Sequence, residues 1–353
     1  MQNTIWVQHA KDFHARLRLP RRARRDLAFM GIAEPPKITM SLSRSSPFAH
    51  DITLTRKGKA IHADYSFVHP QFELPTVRRR LSSLIYQFAH CSNAVETMSG
   101  SIGDGFEGTQ TPFVFSSNRP DKIPIPDCYQ FMLKGFERCR VVADADDKPW
   151  RSRRRTLRWR GTESGHGRDL AEPGIEWDPT VKARLRLCVL AKTLDDVDCR
   201  ITLAEPHLLA PRLRHFDVLG DWIDESEWIN DRYALDIDGM TNTWSNFVAR
   251  LHFGCCVLKV DSQFGYRQWY YDRIKPWVHY VPVKADMSDL AEKLDWARTH
   301  DDEAEQIARN GQAFARTLTM HNNTRDAVEI IETHYLGKAM TDLGEAPLDR
   351  LAP

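Results

Sequence analysis

The chain has 353 residues, and its 49 Lys and Arg residues against 48 Asp and Glu give a formal net charge of +1. This balance provides no overall field to attract nucleic acid. Hydrophobic residues make up 42% and charged residues 27% of the chain, which is typical of a soluble globular protein, and no apolar run approaches the roughly 20 residues that span a bilayer. The basic N-terminus is not followed by the apolar segment of a signal peptide. The sequence therefore predicts a cytoplasmic protein.

The 7 cysteines are odd in number, none forms a C-x-x-C pair, and several lie in apolar runs. This pattern favours reduced, buried thiols over disulfides or a zinc site.

A basic cluster lies near the N-terminus and contains Arg16, Arg18, Arg21, Arg22, Arg24 and Arg25. One interpretation is a solvated helix face. The other is peripheral contact with the anionic inner face of a membrane, where each basic residue near the lipid contributes about 1 kcal/mol.

The pattern from Lys37 to residue 148 is mixed α/β. It predicts strands at Ile38–Leu42, Ile52–Leu54 and Val95–Ile102, and helices at Val77–Phe88 and Leu133–Arg140. Asp104 follows the third of these strands between two glycines, Gly103 and Gly105. This position indicates either a simple turn or a reactive group, because α/β domains place chemistry at the carboxyl ends of strands.

The charged segment Asp146–Arg155 is the predicted linker between two α/β halves. It precedes a predicted strand, Leu157–Arg160, and a glycine-rich loop, Gly161–Arg168. The loop is a candidate phosphate cradle, although it matches neither a Walker motif nor G-x-G-x-x-G. The apolar segment Val181–Leu190 fits a helix or a strand.

A strand, a glycine turn and a helix start are predicted in succession at Tyr233–Asp238, Gly239 and Asn242–Ser245, before the helical run Phe247–Leu251. The first N–H groups of a helix are unpaired and can bind an anion, so this unit is either an anion site or an ordinary βαβ unit. A strand at Cys255–Val260 comes next. Three C-terminal helices follow, the first capped by Asp286, the second beginning near Asp301 and the third spanning Asp326–Tyr335, before a tail expected to be disordered.

Several of these segments together resemble one family. They are WRGTESG at 159–165, the Asp238-Gly239 turn, LKVDS at 258–262, YRQWYYDRIKPWVHYVPV at 266–283, and the helical segment 288–315. The chain is similar to glycosyltransferase family 90, which includes capsule-associated and lipopolysaccharide glycosyltransferases and the Rumi-type protein O-glucosyltransferases. The resemblance implies a GT-B fold, an α/β architecture of two Rossmann-like domains facing a central cleft. The expected domains are an acceptor domain at 1–148, a UDP-sugar-binding domain at 149–336 and a tail at 337–353.

The resemblance also implies an inverting, metal-independent transfer of glucose, xylose or galactose. The donor is a UDP-sugar, and the acceptor is a hydroxyl of a cell-surface glycan or of a lipid-linked glycan such as a lipopolysaccharide or capsule precursor. No cofactor is expected. Asp104 matches the family's general base, and Arg168 is nearest to its diphosphate-binding arginine. The other expected donor contacts are Gly161, Thr162, Ser164, Gly239, Asn242, Thr243, Trp244, Ser245, Arg250 and Gln268, with Asp127 on the acceptor side.

This chain departs from the Rumi-type pattern in the donor segment, where Thr243-Trp244-Ser245 replaces Ser-Phe-Arg. Arg250, one turn later, is expected to compensate for the missing arginine. The departure also leaves open a non-catalytic protein that binds a nucleotide sugar or acts as a scaffold.

A metal-dependent transferase with a D-x-D motif is a further alternative. Three acidic pairs have that spacing: Asp144 and Asp146, Asp196 and Asp198, and Asp236 and Asp238.

Overall fold

The computed structural model describes residues 18–43, 46–48, 50–66, 75–146, 148–204 and 206–337. These residues form a mixed α/β fold with two sheets, as the sequence predicts. The first sheet has 6 strands in the order β1-β3-β2-β4-β5-β6: β1 Lys37–Leu42, β2 Asp51–Lys57, β3 Ala60–Tyr65, β4 Thr97–Ser101, β5 Phe113–Val114 and β6 Ile123–Pro124. The second has 5 strands in the order β11-β10-β9-β7-β8: β7 Arg154–Gly161, β8 Val197–Ile201, β9 Asp231–Asp236, β10 Cys256–Val260 and β11 Val281–Val283.

Ten helices accompany these sheets in the described ranges. The first, α1, covers residues 18–29. The others are α2 Pro75–His90, α3 Cys128–Met132, α4 Glu137–Ala145, α5 Ala183–Ala191, α6 Ala210–His215, α7 Ser245–His252, α8 Leu290–Thr299, α9 Asp301–Arg316 and α10 Met320–Leu336. Nowhere in the described part of the chain is a helix long and apolar enough to cross a bilayer.

The second sheet is parallel throughout. All residues of β9 and β10 are buried, as expected for strands that helices cover on both faces. In the first sheet β2 runs antiparallel to both β3 and β4, while the other pairs are parallel. The N-terminal half is therefore Rossmann-like only in part, and the two-domain GT-B arrangement stays a prediction.

The chain enters the second sheet at β7, adds β8 on one side, and then continues on the other side with β9, β10 and β11. The direction of strand addition thus reverses between β7 and β9. In open parallel sheets this topological switch point leaves a crevice at the carboxyl ends of the strands, and ligands bind there. We therefore expect a ligand-binding site at the loops that follow β7 and β9.

Two helices cross the predicted boundary at residue 148. Helix α10 packs Ala327 and Ile331 into the core of the first sheet, and its Glu332 accepts a hydrogen bond from the N–H of Ser92 at 2.6 Å. Helix α4 instead packs Cys139 and Ala143 into the cluster that contains α7. The predicted division of the chain stays a prediction, and these packing contacts tie its two halves together.

Several sequence predictions are wrong in detail. The single helix Leu133–Arg140 is broken, because the backbone has positive φ from Lys134 to Phe136 and separates α3 from α4. The segment Asp146–Arg155 is not a free linker, since Trp150 is buried and donates a hydrogen bond to Asp301 at 3.0 Å. Asp286 does not cap α8, which begins only at Leu290.

Other predictions concern the ends of the chain and the thiols. The third C-terminal helix begins at Met320 rather than Asp326, with Thr319 as its N-cap. All 7 cysteines are free and buried, as predicted. Arg16 and the tail beyond Gly337 lie outside the described residues.

Candidate active site

The loops at the switch point are joined by one buried arginine, Arg184, near the start of α5. Its guanidinium donates to the backbone oxygen of Thr162 at 3.2 Å and to the hydroxyl of Ser164 at 2.9 Å, both in the loop after β7. It also donates to the backbone oxygens of Ile237 and Asp238, each at 3.1 Å, after β9. Burial lowers the pKa of Arg184 to about 10, so the group stays charged near neutral pH.

Gly239 allows the two loops to approach each other. A Cβ atom placed on this glycine would lie 2.6 Å from the hydroxyl oxygen of Ser164 and 3.1 Å from the guanidinium of Arg184. The predicted donor residues Gly161, Thr162, Ser164 and Gly239 are therefore brought together. Arg184 was not among the predicted site residues, although a charged residue within an apolar run was the available signal.

Asp104 lies in the loop after β4 and is bound by Arg80 of α2. Arg80 is itself buried and also donates to the backbone oxygen of Ile102 at 3.3 Å. Its guanidinium carbon stands 4.8 Å from the ring centroid of Trp244, in the predicted donor segment. Although burial opposes its charge, the pKa of Arg80 is raised, chiefly by Asp104. Arg80 thus links the predicted base to the predicted donor segment.

The backbone of the Asp104 loop is held in place by a second carboxylate. Glu107 accepts hydrogen bonds from the N–H groups of Asp104 at 2.8 Å and Gly105 at 3.1 Å. Gly105 has a φ of 103°, and a Cβ there would lie 2.3 Å from the backbone oxygen of Ser116. Only glycine fits this position.

The donor segment contacts the N-terminal half directly. The hydroxyl of Ser116 donates to the side-chain oxygen of Asn242, whose amide donates to the hydroxyl of Tyr271 at 3.2 Å. Trp244 has φ 56° and ψ −117°, an unusual conformation for a residue with a side chain. Such strain persists only where the surroundings impose it, and it is concentrated at functional sites.

Three predicted site residues are buried among protein partners instead of facing the cleft. Arg250 donates to the backbone oxygen of Leu235 at 2.7 Å and is 2% exposed. Gln268 donates to Asp127 at 2.9 Å, and both side chains are buried. The predicted donor contacts of Arg250 and Gln268 and the predicted acceptor contact of Asp127 stay predictions, and in this structure the three side chains bond to protein groups.

Asp127 is a buried helix cap, whereas Arg168 is an exposed side chain. Asp127 is the N-cap of α3 and accepts from the N–H of Tyr129 at 2.8 Å, while burial raises its pKa to about 6. Arg168 is exposed and directs its guanidinium to Asp178 at 2.7 Å and to Thr180. Its diphosphate contact stays a prediction, as do the donor contacts of Thr243 and of Ser245, the first residue of α7.

Three aromatic rings from separate loops lie in a row. His166 lies 5.9 Å from Phe106 and 4.8 Å from Phe264, measured between ring centroids. His166 also forms a hydrogen bond of 2.9 Å with the backbone oxygen of Met240. Both phenylalanines are largely exposed, and they come from opposite halves of the chain. None of the three residues was among the predicted site residues.

Two D-x-D pairs contain an aspartate that is already paired with cationic side chains. The Asp236 carboxylate receives Lys259 at 3.0 Å and Arg250 at 3.4 Å. Asp198 pairs with Arg160 at 2.7 Å. Within the described ranges no three His, Cys, Asp or Glu side chains come together as metal ligands would. The D-x-D alternative and metal independence both stay predictions.

Helix α1 buries Leu19, Ala23 and Leu27 in the first core. Its other faces carry exposed or partly exposed arginines: Arg18, Arg21, Arg22, Arg24 and Arg25. This arrangement fits both interpretations of the basic cluster, and contact with a membrane stays a prediction.

A family model described as Glycosyl transferase family 90 matches residues 135–332. Uncharacterized protein 035R of Invertebrate iridescent virus 3 is 29% identical over 154 residues, which cover 41% of this chain and 14% of that protein. Protein O-glucosyltransferase 2 of Danio rerio is 35% identical over 130 residues, covering 35% of this chain and 25% of that protein. The matches thus span a quarter or less of these relatives' own length.

Among solved structures, the crystal structure of Anabaena Alr3699/HepE in complex with UDP-glucose is 14% identical with a TM-score of 0.32. It covers 50% of this chain and 49% of that one.

Proposed function

The chain belongs to glycosyl transferase family 90, whose model matches more than half of it, and on this premise we propose that it transfers a sugar from a UDP-sugar to a hydroxyl group. The observation that carries the proposal is the contact of Arg80 with both Asp104 and Trp244. This contact brings the candidate base of one half beside the donor segment of the other. A transferase needs its base and its donor in such a common cleft.

The proposed reaction is a single in-line displacement with inversion at the anomeric carbon. The acceptor oxygen forms a bond to that carbon while the bond from the carbon to the β-phosphate oxygen of UDP breaks. Asp104 takes the proton of the acceptor hydroxyl, a form of general base catalysis that contributes typically about 10²–10⁴-fold. Asp104 is one-third exposed, so an incoming hydroxyl can reach it once Arg80 yields one carboxylate oxygen.

The departing UDP develops negative charge that the site must stabilise without a metal. We assign this role to Arg168 and to the N–H groups at the start of α7, because charge-assisted hydrogen bonds and helix N-termini both stabilise phosphate oxygens. Arg168 is exposed and held only by Asp178 and Thr180. It can exchange these partners for a diphosphate at little cost, since exposed ion pairs contribute only about 0–1 kcal/mol.

Glucose is the favoured sugar among glucose, xylose and galactose, because the named animal relatives are O-glucosyltransferases. We propose that the acceptor is a cell-surface glycan or a lipopolysaccharide or capsule precursor made at the cytoplasmic face of the membrane. The exposed rings of Phe106 and Phe264 would flank the acceptor where it approaches Asp104. The arginines of α1 would hold the protein at the anionic lipid surface.

The test is the release of UDP from UDP-glucose by the purified protein in EDTA, with and without a panel of methyl glycosides as simple acceptors. The Asp104→Asn variant should lose at least about 100-fold in rate while its affinity for UDP stays within about twofold. Retention of full activity in this variant would overturn the role of Asp104.

Ser245 stands where the Rumi-type pattern has an arginine. This replacement favours one competing function, a protein that binds a nucleotide sugar without transferring it. Binding of UDP with no release from UDP-glucose, UDP-xylose or UDP-galactose, even with the acceptor panel, would support this alternative.

A further inference from the structure

Asp238, two residues after β9, has a buried carboxylate with few partners. Both carboxylate oxygens are shielded from solvent and neither forms a hydrogen bond of ordinary geometry, although the hydroxyl of Ser262 acts on the group as a side-chain donor. An ionised carboxylate in this state is costly, and nearly all buried polar groups in native proteins are satisfied. Burial raises the pKa of Asp238 to about 6, although Lys259, Ser262 and Arg184 oppose the rise. The group is therefore largely ionised at neutral pH and needs a donor.

Two hydroxyl groups nearby share this condition. The side-chain oxygens of Thr241 and Thr243 are also buried without a partner, and both residues follow Asp238 in the same loop. Packing does not explain why three buried polar groups within six residues lack an ordinary hydrogen bond at the carboxyl end of a central strand. A ligand that carries several hydroxyl groups would satisfy them, because each hydroxyl both donates to a carboxylate and accepts from a threonine.

The shape of the cavity supports a hydroxyl-sized occupant. Asp238, Thr241, Asp261, Ser262 and Phe264 line a cleft of about 10 Å³. This is roughly the space of one water-sized group. The cleft lies beside Gly239, at which Arg184 joins the two switch-point loops. A sugar hydroxyl can therefore enter it while the rest of the donor lies across the loops.

We propose that Asp238, with Thr241 and Thr243, forms a subsite for the vicinal hydroxyl groups of the donor nucleotide sugar. Those hydroxyls belong either to the ribose or to the transferred hexose, which present the same chemistry. The inference rests on the proposed function, since it names the part of the UDP-sugar that this loop recognises. Asp238 would be a specificity-determining residue rather than a catalytic one.

The test is isothermal titration calorimetry of UDP, 2′-deoxy-UDP and UDP-glucose, in EDTA, without acceptor. The proteins are the wild type, Asp238→Asn and the matched control Asp302→Asn, whose exposed carboxylate lies on α9, outside the cleft. Loss of hydrogen bonds to a charged group should weaken binding by about 10–100-fold. Asp302→Asn should bind all three ligands as the wild type does.

The three ligands distinguish a subsite for the ribose from a subsite for the transferred hexose. If the subsite holds ribose, the wild type prefers UDP to 2′-deoxy-UDP and Asp238→Asn loses that preference. If it holds the hexose, Asp238→Asn binds UDP normally and UDP-glucose weakly. If Asp238→Asn binds each of the three ligands with the same affinity as the wild type, the inference is overturned and the proposed function stays intact. Failure of the wild type to bind UDP would instead overturn the proposed function, and the subsite with it.

The stability of the free protein gives an independent measurement. Because Asp238 is ionised and has few partners above about pH 6, Asp238→Asn should raise Tm by several degrees at pH 7.5 without ligand. Thr241→Val provides a second variant that removes only a hydroxyl, and it should weaken the same ligand as Asp238→Asn does. A lower Tm for Asp238→Asn together with unchanged binding by Thr241→Val would mean that the loop is merely structural, which contradicts the subsite.

Discussion

The guanidinium of Arg80 holds the carboxylate of Asp104 and lies 4.8 Å from the ring of Trp244. Replacing Arg80 with Met keeps an unbranched apolar stem but removes the guanidinium that forms this link. We expect Arg80→Met to lower kcat by about 10–100-fold, the cost of one charge-assisted hydrogen bond that orients the base. The measurement is kcat and KM for UDP-glucose turnover.

Arg79→Met is the matched control, because Arg79 precedes Arg80 on α2 and is exposed. It should leave the kinetics unchanged. If Arg80 acts through Asp104, adding Arg80→Met to Asp104→Asn should cause little further loss of kcat. A full second loss in the double variant would show that Arg80 works independently of Asp104.

The four hydrogen bonds of Arg184 predict a large effect on both stability and binding. Arg184→Met leaves these acceptors without their donor and should cost about 3–5 kcal/mol of unfolding free energy. Arg184→Lys keeps the charge but cannot reach both loops, so it should fold and yet bind UDP at least about tenfold more weakly. Chemical denaturation and UDP titration are the measurements.

The exposed pair of Arg212 and Glu172 offers a control for this prediction. Arg212→Met should change the unfolding free energy by less than about 1 kcal/mol and leave UDP binding intact. Wild-type affinity for UDP in Arg184→Lys would place the donor away from the switch-point loops.

The sequence predicted β7, β9 and β10 because each contains a short run with apolar residues next to a turn. It did not predict β8, whose sequence VDCRI gives only a weak apolar signal. Gly239 and the 161–168 loop stood out because a break between a strand and a helix is a local signal. The burial of Arg250, Gln268 and Asp127 could not be predicted, because burial is a property of tertiary packing. Their polar side chains gave no sign that other protein groups would satisfy them.

The contacts of Arg80 and of the three aromatic rings could not be predicted from the sequence for a related reason. Arg80 and Asp104 are 24 residues apart in sequence, and the ring row is drawn from three loops far apart along the chain. No periodicity or spacing encodes such contacts, which appear only once the strands have been ordered.

The row of Phe106, His166 and Phe264 predicts an effect on the acceptor but not on the donor. We expect Phe106→Ala and Phe264→Ala to raise the KM of the best methyl glycoside by about 10-fold, since an aromatic contact of this kind contributes about 0.5–1.5 kcal/mol beyond the area that it buries. The affinity for UDP should stay constant. Phe29→Ala is the control, because Phe29 is equally exposed but lies on α1. An unchanged acceptor KM in both cleft variants would remove the rings from the acceptor path.

His252 predicts a defined loss of stability in acid. Its ring is buried with neither nitrogen bonded, and burial lowers its pKa to about 3. The unfolded chain binds a proton at a pKa of about 6.5, so the stability that neutral His252 contributes is present above this pH and is lost as the pH falls towards 3. Between pH 7.5 and pH 5 the loss should be about 2 kcal/mol.

His252→Phe should abolish this part of the acid sensitivity, because the new ring packs against Phe136 and does not titrate. The measurement is urea denaturation of both proteins at pH 7.5 and pH 5. Parallel losses in the two proteins would assign the acid sensitivity to other groups.

The central claim is that the cleft between the switch-point loops and Asp104 holds a UDP-sugar without a metal. The most direct measurement is the thermal shift of the protein with UDP, GDP or ADP, each in EDTA and in Mn²⁺. At 100 times its Kd a ligand adds about 2.7 kcal/mol, a shift of several degrees. We predict a shift that is selective for UDP and persists in EDTA. A shift that requires Mn²⁺, or no shift with any nucleotide, would contradict this account.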